Sequence, residues 1–221
     1  MLDILILVPE ITKGMKSLGS KALLKIKSST MVLEYQIEQI RRLYGKSRIF
    51  IGTGFESEKI KKLFTGYTNL YFIDDPEYNT TNQAKLISLF AQNYSSTKLL
   101  IISNGILFKN NPFVCDDQSK IFLIDKPKNH FNIGCNAVDP VLYLFYDLPI
   151  AWAECVFFDA EAIRNIKHMS QTKNINQMYL FEIINKLIEE HDTNFVSDIV
   201  KKKDIMKINT AKDISKAKLF I

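Results

Sequence analysis

The sequence predicts an α/β fold with three layers, in which helices cover both faces of a mostly parallel, Rossmann-like sheet. Short apolar runs alternate with helix-like stretches four times before residue 104, which is typical of parallel strands joined by helices. The runs are almost continuously apolar, as in strands buried on both faces. After residue 110, irregular segments with Asn and Pro separate the strand-like runs, so we expect a mixed sheet there.

The first half contains four predicted strands, over residues 4–8, 47–53, 69–73 and 98–103. A polar loop follows the first strand and ends on a second short apolar run, residues 22–26. Helices are predicted over 32–44 and 56–64 and from about residue 82. In the first helix, Leu33, Ile37 and Ile40 form one apolar stripe, and Gly45 ends the helix.

The second half contains strand-like runs over 120–124, 142–146 and 155–158, and helices are predicted over 160–167 and 176–190. Short strands near Phe195 and Ile205 precede a final helix from Ala211. Thr210 and Asp213 stand three residues apart, as in a capping box, so we expect that helix to begin after Thr210.

Length and composition favour one domain. The chain has 221 residues, 47% of them hydrophobic, which is enough for a sizeable core. We therefore expect residues 1–221 to form one domain, with a first half over 1–110 and a second over 111–221. The net charge of +5 is mild and the basic residues are scattered, so no nucleic-acid partner is expected.

The cysteines and the apolar runs indicate the compartment. Cys115, Cys135 and Cys155 form no CxxC pair, which favours free thiols in a reducing environment. No apolar run approaches the roughly 20 residues that span a bilayer. No charged leader precedes the first strand either. We therefore expect a cytoplasmic protein without a membrane partner.

Five segments, in this order, resemble the sugar-phosphate nucleotidyltransferase family, whose fold is of the GT-A type. They are KALLKI at 21–26, LEYQIEQI at 33–40, TTNQAKLISL at 80–89, SNGILF at 103–108 and KINTAKDISKAKLF at 207–220. The resemblance implies binding of a nucleoside triphosphate or a nucleotide-sugar. It also implies transfer of the nucleotidyl group to a phosphorylated sugar, polyol or choline-like acceptor, with Mg²⁺ as the cofactor. The halves 1–110 and 111–221 would then bind the nucleotide and the acceptor.

The resemblance also assigns residues to this chemistry. Lys21 would be the catalytic lysine, and a group of nearby or matching residues would bind the nucleotide: Lys13, Lys16, Thr81, Gln83 and Asn104. Asn209 would offer one oxygen to the metal. We expect these residues to converge on a single cleft along one rim of the sheet, where open α/β sheets bind ligands.

The sequence departs from the family at two places. The glycine-rich phosphate loop, Gly-x-Gly-x-Arg in the family, falls on residues 10–14, where Glu10 replaces a glycine and Gly14 replaces the arginine. Lys13 and Lys16 could substitute for that arginine. Ile106 stands where a metal-binding Asp is expected, and an isoleucine cannot bind a hard cation.

Several of these residues also have purely structural interpretations. Lys21 could be an ordinary loop lysine, Thr81 could belong to a helix start, and Asn104 could turn the chain before Gly105. Asp74 and Asp75 could form a metal pair, but an Asp-Asp-Pro sequence more often ends a strand in a turn. Trp152 and Tyr143 could line an acceptor pocket or pack in the core. His130, His168 and His191 show no ligand spacing.

Two functions rank ahead of a GT-A glycosyltransferase, for which the acidic pair Asp74 and Asp75 lies one strand too early. The first is a nucleotidyltransferase-like protein that binds its nucleotide through Lys21 and Gln83, with catalysis reorganised around the altered metal site or lost. The second is a catalytically inactive descendant that serves as an assembly module, with a protein partner or as a homo-oligomer. Ile106 and the missing loop glycines favour the second.

Overall fold

The computed structural model describes residues 1–9, 18–124, 132–172 and 174–221. Thirteen strands lie in this part of the chain: β1 Asp3–Val8, β2 Lys25–Lys27, β3 Thr30–Met31, β4 Arg48–Thr53, β5 Leu70–Asp74, β6 Leu99–Ser103, β7 Ile106–Phe108, β8 Lys120–Ile124, β9 Ile133–Cys135, β10 Phe145–Tyr146, β11 Ile150–Phe158, β12 Val196–Val200 and β13 Ile205–Lys207. The same part contains six α-helices: α1 Val32–Tyr44, α2 Ser57–Phe64, α3 Gln83–Asn93, α4 Ala160–Thr172, α5 Leu180–His191 and α6 Ala211–Phe220.

The central sheet confirms the predicted α/β class. Its main strand order is β10-β9-β11-β6-β1-β4-β5, with β8 joined to β11 and β12 joined to β8. In the first half, β6, β1, β4 and β5 are all parallel to their neighbours. In the second half, β11 is antiparallel to β6, β8 and β9, whereas β12 is parallel to β8. The predicted change to a mixed sheet after residue 110 is therefore confirmed.

Helices cover both faces of this sheet because alternate strand residues face opposite sides. Leu5 and Leu7 of β1 belong to a core cluster that includes residues of α3, α4 and α5. Ile4 and Ile6 belong to a second cluster with residues of α1 and α2. The predicted three-layer arrangement is thus confirmed. Among the described residues, no helix is both long enough and apolar enough to cross a bilayer.

Two predicted elements are shorter than the pattern indicated. The helix predicted over 176–190 begins only at Leu180, because carbonyl groups just before it serve another helix. Asn82 N–H donates to Asn176 O (2.8 Å) and Ala84 N–H donates to Met178 O (3.1 Å), which satisfies the first turn of α3. The strand predicted over 142–146 is reduced to β10, since Leu144 bonds through its backbone to the side chain of Asn185.

The short strand β7 is an addition to the predicted elements, whereas β13 confirms the short strand predicted near Ile205. They pair antiparallel, with Ile106 opposite Lys207. The final helix α6 begins at the predicted capping box of Thr210 and Asp213. The helix packs with the β2–β3 hairpin in a third apolar cluster that includes Ile26, Ile208 and Ala217. This arrangement carries the C-terminal segment to the carboxyl ends of β1 and β6.

Candidate functional site

A cavity of about 130 Å³ lies at the carboxyl ends of β1 and β6. We call it the edge cavity. It is lined by Leu7, Pro9, Lys21, Gln83, Ser103, Asn104, Glu154, Lys207 and Asn209. Four residues that the sequence singled out, Lys21, Gln83, Asn104 and Asn209, therefore lie around one cavity although they come from four distant segments. The rim of the sheet on which they meet is the predicted one.

Lys21 reaches the cavity from a short 3-10 turn that Glu56 holds in place. Ser20 N–H donates to Glu56 Oε2 at 2.6 Å. Burial acts to raise the pKa of Glu56, but the Ser20 N–H and Lys59 more than offset it, so the pKa lies below its ordinary value. The Lys21 side chain then runs beside Gly105: a Cβ on that glycine would lie 2.4 Å from Lys21 Cδ. Lys21 is consequently only 7% exposed.

Asn104 lies in a tight turn that a side chain of helix α1 stabilises by hydrogen bonds. Gln36, which is fully buried, donates from Nε2 to Ile106 O (2.9 Å) and to Ser103 O (3.3 Å). Asn104 N–H donates to Leu7 O at 3.0 Å, which ties the turn to the end of β1. The Asn104 Oδ1 atom is buried and has no hydrogen-bond partner among the described residues. Such an orphaned acceptor at a cavity is suited to a donor on a bound ligand.

Gln83 is the first residue of α3, and its amide is oriented by a neighbouring helix. Leu180 N–H, at the start of α5, donates to Gln83 Oε1 at 2.9 Å. This bond assigns Nε2 as the end of the amide that can donate elsewhere. Thr81, by contrast, faces away to a turn, where its hydroxyl donates to Asp75 and to Glu77 O (3.1 Å). Gln83 therefore lies at the cavity, whereas Thr81 supports the chain leading to it.

Asn209 is positioned by the carboxylate of Asp213, which is almost fully buried. The N–H groups of Asn209 (3.1 Å) and Thr210 (3.0 Å) both donate to Asp213 Oδ2. Burial alone would raise the pKa of Asp213, but these N–H groups and Lys216 hold it below its ordinary value. The capping box thus fixes the backbone from which Asn209 enters the cavity.

Two charged residues at the cavity, Glu154 and Lys207, were missed by the sequence analysis. They form an ion pair whose side chains are only 15% and 14% exposed. Glu154 has a positive φ of 55°, and the pairing of β11 with β8 shifts register between Trp152 and Val156. A bulge of this kind re-aims a side chain. The available signal was a single charged residue inside an otherwise apolar nine-residue strand.

A second cavity, of about 190 Å³, adjoins the first and shares Gln83, Ser103, Glu154 and Lys207 with it. We call it the aromatic cavity because four rings line it: Tyr146, Trp152, Tyr179 and Phe181. Trp152 Nε1 donates to Cys155 O at 2.8 Å, which fixes the indole inside the bulge. Trp152 thus lines a pocket and packs in the core at once. Tyr143 is instead exposed, and Asn136 Nδ2 donates to its hydroxyl at 3.3 Å.

The other residues singled out from the sequence lie elsewhere. Asp74 accepts a hydrogen bond from Ser57 (2.5 Å) at the start of α2, and Asp75 accepts one from Glu77 N–H (2.9 Å) in the turn after β5. His168 and His191 pack edge to face, with ring centroids 6.3 Å apart. A further group lies outside the described residues, namely Glu10, Lys13, Gly14, Lys16 and His130.

The side chains at the cavity do not fit the acid-bound Mg²⁺ that the resemblance implies. Mg²⁺ is bound by oxygen atoms, commonly those of carboxylates. Ile106 is fully buried in the second core cluster and has no side-chain oxygen. Asn209 offers one carbonyl oxygen, and Glu154 is already paired with Lys207. Within the described ranges, no three His, Cys, Asp or Glu side chains are grouped so as to hold a metal ion.

Solved structures of nucleotidyltransferases share this architecture. The CTP:phosphocholine cytidylyltransferase of Streptococcus pneumoniae superposes with a TM-score of 0.78 and 16% identity over 99% of this chain and 98% of its own. The inositol-1-phosphate CTP transferase of T. maritima superposes with a TM-score of 0.76 and 10% identity, over 99% of this chain and 94% of its own. The nucleoside-diphosphate-sugar pyrophosphorylase of Vibrio cholerae superposes with a TM-score of 0.74 and 12% identity, over 98% of this chain and 99% of its own.

Sequence comparison alone gives no such likeness: no family model matches the chain, and no curated protein matches it by sequence. At these identities the structural likeness concerns the fold and leaves the activity open. It extends over almost the whole of each chain, in agreement with the resemblance of the five segments. The chain therefore has the fold of the sugar-phosphate nucleotidyltransferases.

Proposed function

We propose that the protein binds a nucleoside triphosphate or a nucleotide-sugar in the edge cavity. The observation that carries this proposal is the convergence of Lys21, Gln83, Asn104 and Asn209 on one cavity. That cavity lies at the carboxyl ends of the parallel strands, where open α/β sheets bind ligands. Each of the four residues is oriented by a separate hydrogen-bonded support, which favours a preformed site.

The proposed site recognises a nucleotide in two ways, by positive charge and by hydrogen bonds. The ammonium of Lys21, a buried residue, neutralises phosphate oxygens. Gln83 donates from Nε2 to an acceptor on the base or sugar, and Asn104 Oδ1 accepts from a hydroxyl or amino group. Thr81 contributes indirectly by holding the turn before α3. Lys13 and Lys16 complete the phosphate contacts in this proposal.

The aromatic cavity is the proposed place for a small phosphorylated acceptor. The rings of Tyr146 and Phe181 stand edge to face at 5.5 Å, and those of Tyr179 and Phe181 stack at 6.0 Å. Ring faces of this kind bind the apolar face of a sugar or polyol, and they also attract a quaternary ammonium group. The related structures act on phosphocholine and inositol-1-phosphate, which are acceptors of these two chemical types.

Turnover is a separate question, because nucleotidyl transfer depends on charge neutralisation and positioning at the phosphates. If it occurs, the acceptor phosphate attacks the α-phosphorus of the triphosphate and pyrophosphate leaves. Ile106 and the unfavourable set of metal ligands argue for binding without turnover. Release of pyrophosphate in the presence of a phosphorylated acceptor is the measurement that decides between the two.

Thermal unfolding with and without ligand tests the proposal. Each of the four NTPs and one nucleotide-sugar is added to the full chain. Ligand at a hundred times its dissociation constant stabilises the folded state by about 2.7 kcal/mol, a rise in Tm of about 5–10 °C for a chain of this size. Lys21→Met should abolish the rise, whereas Lys27→Met, an exposed lysine in β2, should keep it. No rise with any nucleotide would refute the proposal.

A second candidate is an assembly role, which an exposed apolar patch near the aromatic cavity favours. Val138, Leu142, Tyr143 and Phe145 are between 41% and 60% exposed. Contiguous patches of this kind mark protein contacts. The partner in this case is another protein or a second copy of the chain. Light scattering of the wild type and of Leu142→Ser tests self-association: a monomer in both removes the homo-oligomer from consideration.

The cytoplasm is the compartment that we propose, since Cys115, Cys135 and Cys155 are all free thiols. Free thiols persist where the environment is reducing. Nucleoside triphosphates, the proposed ligands, require the same compartment.

A further inference from the structure

The ion pair between Glu154 and Lys207 lies in an unusual backbone setting. Glu154 occupies the left-handed region at a φ of 55° inside the longest strand of the central sheet. Non-glycine residues adopt this conformation at an energetic cost, and inside a strand the surrounding structure must offset that cost. The bulge directs the carboxylate into the wall that the edge cavity shares with the aromatic cavity. The surroundings thus maintain a strained backbone in order to place one charge.

The ion pair is also placed where the resemblance implies the metal. Lys207 is paired directly with Ile106 across the β7–β13 ladder, and it precedes Asn209 by two residues. Lys207, the last residue of β13, and Asn209 both line the cavity. Glu154 lines the same cavity from β11, in which the next residue, Cys155, pairs with Ile102 of β6. Lys207 is therefore next to Ile106 across the ladder and close to Asn209 along the chain, the two positions at which metal ligands are expected.

We propose that the Lys207 ammonium replaces the divalent cation as the charge partner of the ligand's phosphates, with Glu154 holding it in position. This inference rests on the proposed function, the binding of a nucleotide in the edge cavity. It specifies that this binding is independent of a divalent metal. Lys207 and Lys21 supply two positive charges to the edge cavity, and Glu154 supplies one negative charge. The described lining is therefore net positive before any metal is added.

Glu154 has a defined task in this arrangement. The contact between the Glu154 carboxylate and the Lys207 ammonium fixes the rotamer of the lysine. When a phosphate arrives, it shares the ammonium with Glu154, since a lysine has three donors. The same ammonium repels Mg²⁺ from the oxygen atoms of Asn209 and Glu154.

Titration calorimetry of the full chain with each of the four NTPs and with inorganic pyrophosphate tests the metal requirement. Each probe is titrated once in excess EDTA and once in excess Mg²⁺. We expect binding in EDTA to be at least as tight as in Mg²⁺, because free phosphates carry more negative charge. Binding that is about tenfold tighter with Mg²⁺ would overturn the inference and leave the proposed function intact. No binding in either buffer would overturn both.

Substitutions at the ion pair test which residue carries the effect. Lys207→Met should weaken binding in EDTA by about tenfold or more, because it removes a charge-assisted contact. Lys202→Met, an exposed lysine in the preceding turn, should leave binding unchanged. Glu154→Gln should weaken binding by about twofold or more, since the ammonium loses the carboxylate that holds it in position. Equal affinities for Lys207→Met and Lys202→Met would overturn the inference.

A charge-preserving variant separates charge from folding. Should Lys207→Met unfold, as judged by circular dichroism, Lys207→Arg replaces it, because the guanidinium keeps the positive charge. We expect Lys207→Arg to bind in EDTA within about threefold of the wild type. Metal-dependent binding by Lys207→Arg would contradict the proposal.

Discussion

Gly105 is the residue at which the smallest change should disturb the edge cavity most. It lies between Asn104 and Ile106 with a φ of 83°, a conformation that favours glycine. A Cβ there would lie 2.4 Å from Lys21 Cδ and 3.1 Å from Ile208 O. Gly105→Ala therefore strains the backbone and forces the Lys21 side chain to move at the same time.

The two consequences can be estimated separately. The left-handed conformation costs a residue with a Cβ about 1–2 kcal/mol, which lowers Tm by about 2–8 °C in a chain of this length. The contact with Lys21 Cδ can be relieved by moving a flexible side chain, so we assign it little cost in stability. It should instead displace the ammonium and weaken nucleotide binding by about tenfold, the loss of one charge-assisted contact.

Urea unfolding gives the stability change, and calorimetric titration with nucleotide gives the affinity. Gly66→Ala is the matched control, because its φ is not positive and a Cβ there meets nothing within 4 Å. We expect that control to keep both the stability and the affinity of the wild type. A Gly105→Ala protein with unchanged affinity would refute the placement of Lys21 at the cavity.

Three further outcomes are expected from the contacts described. Asp213→Asn should lower the free energy of unfolding by about 1.5–3 kcal/mol in urea, because a buried carboxylate that accepts from Asn209 and Thr210 loses its charge; an unchanged midpoint would contradict this. The lowered pKa values of Asp213 and Glu56 stabilise the fold above the ordinary carboxyl pKa of about 4. That contribution is lost as the pH falls below the ordinary carboxyl pKa and through the lower pKa values of the folded protein. Tm should therefore fall with pH over that range and stay flat between about pH 6 and 8. Burial raises the pKa of Cys115 to about 12, so its thiol should resist iodoacetamide at pH 8 until the chain is unfolded, as counted by mass spectrometry.

The apolar periodicity of the sequence was enough to predict the helices and strands of the first half of the fold. The helix predicted over 32–44 coincides with α1, since its apolar stripe faces the sheet and Gly45 ends it. Predicted strands there differ from β1, β4, β5 and β6 by a residue or two at the ends. Local pattern succeeds in this region because β1, β4 and β6 are buried on both faces and each helix is buried on one.

Tertiary contacts limited the prediction in the second half. Residues 176–179 have helical periodicity, but carbonyl groups there accept from Asn82 and Ala84 at the start of α3. No local pattern contains that information. The short strand β7 was equally hidden, since it has three residues and pairs only with β13.

The candidate site likewise contains residues that the sequence could identify and residues that it could not. Lys21, Gln83, Asn104 and Asn209 could be singled out because they lie in segments with a family pattern. Glu154 belongs to no such pattern, and Lys207 begins a family-like segment in which it was assigned no role. The two residues meet through a bulge in β11 at the end of β13, which no local pattern contains.

Hydrogen–deuterium exchange, measured by mass spectrometry with and without saturating nucleotide, tests the shared cavity most directly. We expect three segments far apart in sequence to become protected together: 18–27, 103–108 and 205–210. Lys21→Met should remove the protection of all three at the same nucleotide concentration. Protection confined to one of them, or found only on other parts of the chain, would contradict a single nucleotide site at this edge of the sheet.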